Sequence, residues 1–209
     1  MQNNLFYLCG PHGSGKTTLG TELAGENPRI LIPELYSRNT KFKTDPRYRQ
    51  MLKLCGRAIE NFEYLETAKK TPDKIILGNR CIYDVLAYHW VYHSRGWVSK
   101  EDYETYVKYT AEIFLHENAK PYGIVLNPGF DAVMRHLEKR WQEKGKKWRE
   151  DDLEYARLAC KAYERFQGRD DILYIDREIN LESRLEVKEG NEWLMERFAG
   201  MPRAVQQVA

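Results

Sequence analysis

The stretch LFYLCGPHGSGKTTLGTELA, Leu5 to Ala24, constrains this chain more than any other. It opens as an apolar run of strand type, breaks into glycine and proline, and resumes with helical periodicity. At the join, Gly10, four residues, Gly15, Lys16 and Thr17 satisfy the pattern G-x-x-x-x-G-K-[ST]. A chain of this length meets that pattern by accident in under roughly 1% of cases. Glycines let consecutive backbone N–H groups turn toward one anion, the following helix N-terminus adds partial positive charge, and a lysine supplies a mobile full charge. Gly10, Pro11, His12, Gly13, Ser14, Gly15, Lys16, Thr17 and Thr18 are therefore the expected cradle for the β-phosphate of ATP. Thr17 is expected to place its hydroxyl on Mg²⁺. Because such a loop works through its backbone, the His12 side chain is expected to face solvent.

Five short apolar runs read as buried parallel strands: 5–9, 30–32, 74–77, 122–126 and 172–175. Helical patterns fill the gaps, near 18–24, 45–70, 82–93, 102–115, 131–142, 152–166 and 192–198. Strands alternating with helices specify an α/β doubly wound architecture. The expected fold is the three-layer P-loop NTPase type, a five-stranded parallel sheet in the order 2-3-1-4-5 with helices on both faces. All 209 residues then form one domain, with a basic lid near 135–150. In the second helix, Met51, Leu52, Cys55, Ala58, Ile59, Phe62 and Leu65 recur at helical spacing and are expected to form its buried stripe. The excursion between the third and fourth strands carries two helices rich in Tyr, Trp and His, more chain than a crossover requires. Extra helices above the carboxyl ends of parallel strands are where such folds build a ligand pocket.

Composition narrows the partners. The formal net charge is +2 with 31% of residues charged, so neither nucleic acid nor an anionic membrane is demanded, and phosphate attraction must be local. No run of 18 apolar residues and no basic leader before an apolar core occurs, which argues against membrane spanning and export. Cys9, Cys55, Cys81 and Cys160 stand far apart without zinc-ligand spacing and read as reduced, mostly buried thiols of a cytoplasmic protein. A small-molecule partner is expected, with a homodimer left open.

The acceptor side is read from the ends of the second and third strands. In IPELYSR, Glu34 is placed to accept the proton of an attacking hydroxyl or to hold metal-bound water. Its plainer reading is an acid favoured by a helix dipole. Arg38 suits either a phosphate or an acidic neighbour. In GNRCIYDVLAYHW, Arg80 offers a planar fork for phosphate oxygens. Asp84, one turn on, supports metal-bound water or orients Arg80, against the plainer reading of a simple helix pair. From Arg135 to Glu150 there are seven Lys or Arg against three Glu, with Gly145 interrupting. Such a run is a solvated helix face or a lid that closes over ATP, with Arg135 and Arg140 the expected phosphate contacts.

With these residues in place, the chain resembles the deoxynucleoside kinase and thymidylate kinase group of P-loop kinases over most of 5–175. The resemblance lies in GPHGSGKTT, in the PE of Pro33 and Glu34, in NRCIYDVLAY, and in LEYARLACKAYERF after the basic run. It implies Glu34 as base or metal-side acid, Arg80 as a phosphate-contacting arginine, and Arg135, Arg140 and their neighbours as the lid. It also offers Phe62, Tyr83, Tyr88 and Trp90 as candidates to hold a nucleobase. Asn79 stands where the family has Asp or Glu, and the second strand lacks the arginine that thymidylate kinases use for an acceptor phosphate, which tilts the expectation toward a hydroxyl acceptor. The implied function is transfer of the γ-phosphoryl group of ATP to a nucleoside or nucleoside monophosphate. The rivals are a kinase for polynucleotide 5′-hydroxyls and a non-catalytic nucleotide-sensing module.

Overall fold

The computed structural model describes residues 4–33, 45–115, 122–146 and 149–200. Five parallel strands, β1 (Leu5–Cys9), β2 (Ile30–Leu31), β3 (Ile75–Asn79), β4 (Tyr122–Leu126) and β5 (Ile172–Ile175), form one sheet in the order β2-β3-β1-β4-β5. This is the order read from the sequence. Register is fixed at the centre, where Leu5 pairs with Ile76 and Leu8 with Asn79 on one side of β1, and Phe6 with Tyr122 on the other.

Alternation along the strands builds two cores. Phe6, Leu8, Ile75, Leu77, Ile124 and Leu126 face α1 (Lys16–Glu26) and α7 (Leu185–Ala199). Leu5, Tyr7, Cys9, Ile76 and Val125 face the other layer. That layer comprises α2 (Pro46–Lys70), α3 (Ile82–Ser94), α4 (Lys100–Leu115) and α6 (Leu153–Glu164). A smaller cluster, Val133, Met134, Leu137, Ala156 and Cys160, joins α5 (Phe130–Lys144) to α6. Each fully buried Leu or Phe in these layers contributes about 1.5–3 kcal/mol of transfer free energy.

Three expectations are corrected. β2 stops at Leu31 because Pro33, which has no N–H, follows; Ile32 instead packs against the α1 side of the core. α7 begins at Leu185, well before 192. Its polar first turn is held by tertiary contacts: Glu186 accepts from Asn180 N at 3.0 Å and from Arg177 Nε at 2.8 Å, while Val187 and Leu194 seal the sheet.

The face assigned to α2 is also corrected, although Leu65 at its end does pack against the core. Met51, Leu52, Cys55, Ile59 and Phe62 are exposed, and the buried face is Gln50, Leu54, Asn61, Tyr64 and Ala68. Two of those five are polar amides, which a hydrophobicity pattern assigns to solvent. Here both have partners: Gln50 Nε2 donates to Tyr88 O at 2.9 Å, and the Tyr7 hydroxyl donates to Asn61 Oδ1. A buried amide is tolerated once its hydrogen bonds are met. Among the described residues, no helix is long and apolar enough to cross a membrane.

Candidate active site

The phosphate loop runs from the end of β1 into α1, and three of its glycines adopt positive φ: Gly10 (146°), Gly13 (80°) and Gly15 (96°). The tertiary setting enforces two of them. A Cβ on Gly10 would lie 2.2 Å from Leu126 O, and one on Gly13 would lie 2.9 Å from Val133 O and from Leu137 Cγ. The loop is thus clamped between β4 and α5. α1 has neither a side-chain cap nor an acid in its first turn, so its leading N–H groups and dipole are left for an anion. The exposed Thr17 and Thr18 open onto the same cleft.

Lys16 curls back over the loop. Its Nζ donates to Gly10 O and Pro11 O, both at 2.7 Å, and to Ser14 Oγ at 3.1 Å. Burial, with Arg80 nearby, lowers its pKa to about 7, even though Asp84 favours the charge. An incoming phosphate offers the ammonium a full negative charge in direct contact, where its hydrogen bonds now go to neutral oxygens.

The cleft over the loop has a volume of ≈ 810 Å³ and is walled by Asn79, Arg80 and Arg57 on one side and by His136, Lys139 and Arg140 from α5 on the other. Ile179 and Leu181 form an apolar edge. Arg80 occupies the turn between β3 and α3 at φ 76°, a conformation costing a non-glycine residue about 1–2 kcal/mol. Its N–H extends the sheet ladder to Leu8 O at 3.0 Å. The guanidinium meets Asp84 Oδ1 at 3.1 Å. Asp84 also accepts from Cys81 N at 3.0 Å and from the Tyr163 hydroxyl at 2.5 Å, and is buried. Its carboxylate is committed to fixing Arg80 and capping α3.

The basic run is a helix end followed by a turn anchored at Glu150. That buried carboxylate pairs with Arg140, accepts from Trp141 Nε1 at 3.1 Å and stands 3.7 Å from His12 Nδ1. Arg140 lines the cleft; Arg135, with its side chain 62% exposed, pairs with Glu178 outside it. Glu34 and Arg38 lie outside the described residues, as does Lys147.

The His12 side chain is 37% exposed, as a loop residue's would be, and also borders the cleft. Its ring meets Tyr88 edge-on at 5.7 Å and lines the cleft, and burial followed by the charges of Arg80, Lys16 and Lys53 holds its pKa well below the usual imidazole range. Of the four candidate aromatics, Tyr88 borders a pocket beside the loop cleft. Phe62 is exposed, Tyr83 is bound to Asp171 at 3.0 Å beneath the sheet, and Trp90 packs on the α3 side of the core.

Sequence reasoning passed over His136, whose Nδ1 lies 2.8 Å from Gly13 O, and over Gln50, Lys53 and Arg57 of α2. The available signal was polar residues repeating at helical spacing from Gln50 to Asn61, on the face opposite the apolar stripe. Gln50, Lys53, Arg57 and Tyr88 line the second pocket, ≈ 120 Å³, which shares His12, Arg57 and Arg80 with the loop cleft.

Residues 5–156 match a family model described as an AAA domain. No curated protein sequence gives a significant match. The fold is similar to deoxyadenosine kinase from M. mycoides in several complexes. With bound dATP the TM-score is 0.68 at 18% identity, covering 90% of this chain and 98% of that one. With the products dCMP and dCDP it is 0.63 at 18% identity, covering 93% and 98%. With dCTP it is 0.58, also at 18% identity, covering 90% and 98%. At that identity the likeness is one of fold.

Proposed function

This chain belongs to the AAA-domain family, and on that premise we propose that it is an ATP-dependent phosphotransferase acting on a nucleoside or nucleoside monophosphate. The observation that carries the reading is the junction of two pockets. The phosphate-loop cleft opens onto the pocket under Tyr88, and Arg57 and Arg80 border both. A triphosphate tail in the first and an acceptor in the second meet at those guanidinium groups. The solved structures of similar fold are nucleoside kinases by their descriptions, which supports the same reading.

In this proposal the loop amides and Lys16 grip the β- and γ-phosphates, with Lys16 leaving the carbonyls of Gly10 and Pro11 to do so. Arg80, held by Asp84 against rotation, and Arg140, held by Glu150, face the charge that spreads over the transferred group. Arg135 stands ready at the rim beside Glu178. Glu34 assists the nucleophile. The donor set fits magnesium, since Thr17 is exposed at the cleft with the Asn79 amide beside it. When bound there, the ion would neutralise developing phosphate charge.

A second reading, a nucleotide sensor without turnover, is favoured by Asn79, an amide where kinases of this type carry an acid. One experiment separates the two. Nucleosides and nucleoside monophosphates are supplied with ATP and Mg²⁺, and ADP and phosphorylated product are counted for the wild type, Lys16→Ala and Glu34→Gln. Stoichiometric product that Lys16→Ala abolishes supports the kinase; tight ATP binding with no product from any acceptor supports the sensor.

A further inference from the structure

Three buried side chains that can ligate a metal meet where the end of β1 lies beside the N-cap of α3. Cys9 and Cys81 are 0% and 1% exposed and Asp84 is 3% exposed, and one ligand atom from each lies within 4.8 Å of the other two. The two sulfurs stand 3.1 Å apart. Cys9 directly precedes Gly10 of the phosphate loop, and Cys81 directly follows Arg80. Neither thiol has a part in the phosphotransfer proposed above.

Two buried thiols alone are ordinary core packing. What sets this pair apart is the carboxylate brought against it and the way each donor is held. Asp84 Oδ1 accepts from Arg80 at 3.1 Å and from the Tyr163 hydroxyl at 2.5 Å, outer hydrogen bonds of the kind that orient a metal-ligating carboxylate. Oδ2 accepts from Cys81 N at 3.0 Å and keeps a further lone pair, as an ionised carboxylate oxygen does. Tyr83 N points at Cys81 Sγ from 3.4 Å in the first turn of α3, where N–H groups and the helix dipole favour negative charge on a bound sulfur. Charge balances as well: two thiolates neutralise a dication, and Arg80 already neutralises Asp84. A buried set of charges is tolerable only when it is paired in this way. Asp84 also lines the pocket beneath Tyr88, ≈ 120 Å³, which gives a small ion a route to the carboxylate.

We propose that Cys9, Cys81 and Asp84 form a site for one thiophilic divalent cation of the zinc class, which ties the end of β1 to the start of α3. Two thiolates and a carboxylate are a zinc donor set, and soft sulfur discriminates against the magnesium that accompanies ATP. Three protein ligands leave the fourth tetrahedral position to water. Burial, the bond to Cys81 and the charge of Asp84 hold the Cys9 thiol well above its usual range, so the metal-free pair is a dithiol and the cation takes the place of its two protons. Sulfurs bound at about 2.3 Å to one tetrahedral zinc stand roughly 3.8 Å apart, so the pair opens by under about 1 Å. The site stands whether or not the protein proves to be a phosphotransferase.

The test is titration of the reduced, chelator-treated full chain with Cd²⁺ in the spectrophotometer and with Zn²⁺ in the calorimeter, both in excess Mg²⁺. One equivalent of Cd²⁺ is expected to bind with the ultraviolet sulfur-to-cadmium charge-transfer band, and Zn²⁺ to compete for the same site. Cys9→Ser and Cys81→Ser should each weaken binding by at least about 100-fold and remove the band, whereas Tyr163→Phe, which loosens the carboxylate, should cost about tenfold. The double variant Cys55→Ser/Cys160→Ser should bind as the wild type does. Should the Cys9 and Cys81 variants fail to fold, that double variant still decides, because Cys9 and Cys81 are then the sole thiols. The site is overturned if the double variant shows no band, if binding ignores Cys9→Ser, or if excess Mg²⁺ displaces the probe. Closure of the two thiols to a disulfide in place of metal uptake overturns it too.

Discussion

The phosphate loop and the acceptor wall sit on either side of Arg80, yet they are made in opposite ways. The loop is nine contiguous residues, 10–18, and its shape resides in backbone: positive-φ glycines, the α1 N-terminus, and close approach to Leu126 O and Val133 O. The wall is assembled from side chains of α2, α3 and α6 that are remote in sequence, and each charge in it is positioned by another group: Arg80 by Asp84, Asp84 by Tyr163, Arg57 by Glu60. A site built from backbone tolerates changes of neighbouring charge but not of shape. One built from paired side chains behaves the other way round.

That contrast is open to direct attack. The largest effect is expected at the loop's one mobile charge: Lys16→Ala should cut turnover by about 10³-fold, as measured by steady-state ADP release, because several transition-state oxygens lose their cation together. A loss under tenfold would move the donor site elsewhere.

On the wall, Asp84→Asn should lower kcat about 100-fold through a misplaced Arg80 while shifting ATP affinity less than about threefold, with a loss of about 3 kcal/mol in denaturant unfolding. If ATP affinity falls as far as kcat, the two regions are not separable.

A smaller effect is expected with pH. Lys16 has its pKa lowered to about 7, and a bound triphosphate raises it, so binding takes up a proton and ATP affinity should fall about fivefold between pH 7 and pH 8. Lys16→Arg should flatten that slope in calorimetry. Stability runs the opposite way without nucleotide. Lys16 and Lys53 both titrate near about 7 when folded against about 10.4 unfolded, so the unfolded chain binds more protons in that window and these groups make folding more favourable as pH rises through it. The smallest effect is expected for Arg135→Ala, which breaks an exposed pair with Glu178: under about 1 kcal/mol in unfolding, and turnover within about threefold. A greater loss of turnover would mean that this arginine closes onto the phosphates.

The legible parts of the fold were those written in short-range pattern. The strands read from apolar runs fell within a residue or two of their places, and their order is the one the resemblance to P-loop kinases implied. The α2 face was misread because amphipathicity assumes that polar residues seek water. Gln50 and Asn61 instead find partners in Tyr88 O and the Tyr7 hydroxyl, groups far away in the chain. The same blindness hid Lys53 and Arg57, whose helix spacing looks like any solvated face until α3 is packed against it. His12 keeps much of the exposure read for it, but its neighbours, Tyr88 and Glu150, come from elsewhere in the chain. Cys9 and Cys81, distant in sequence, stand with their sulfurs 3.1 Å apart, because the end of β1 lies beside the N-cap of α3.

What the sequence by itself determined is the phosphate cradle, because its physics is local: φ angles, consecutive N–H groups and one lysine, all within reach along the chain. What only the tertiary structure decided is the company each remaining charge keeps. Desolvation and Coulomb interaction depend on distance through space, and folding brings Lys53, Arg57, Arg80 and Asp84 to one pocket from two helices and the turn between β3 and α3.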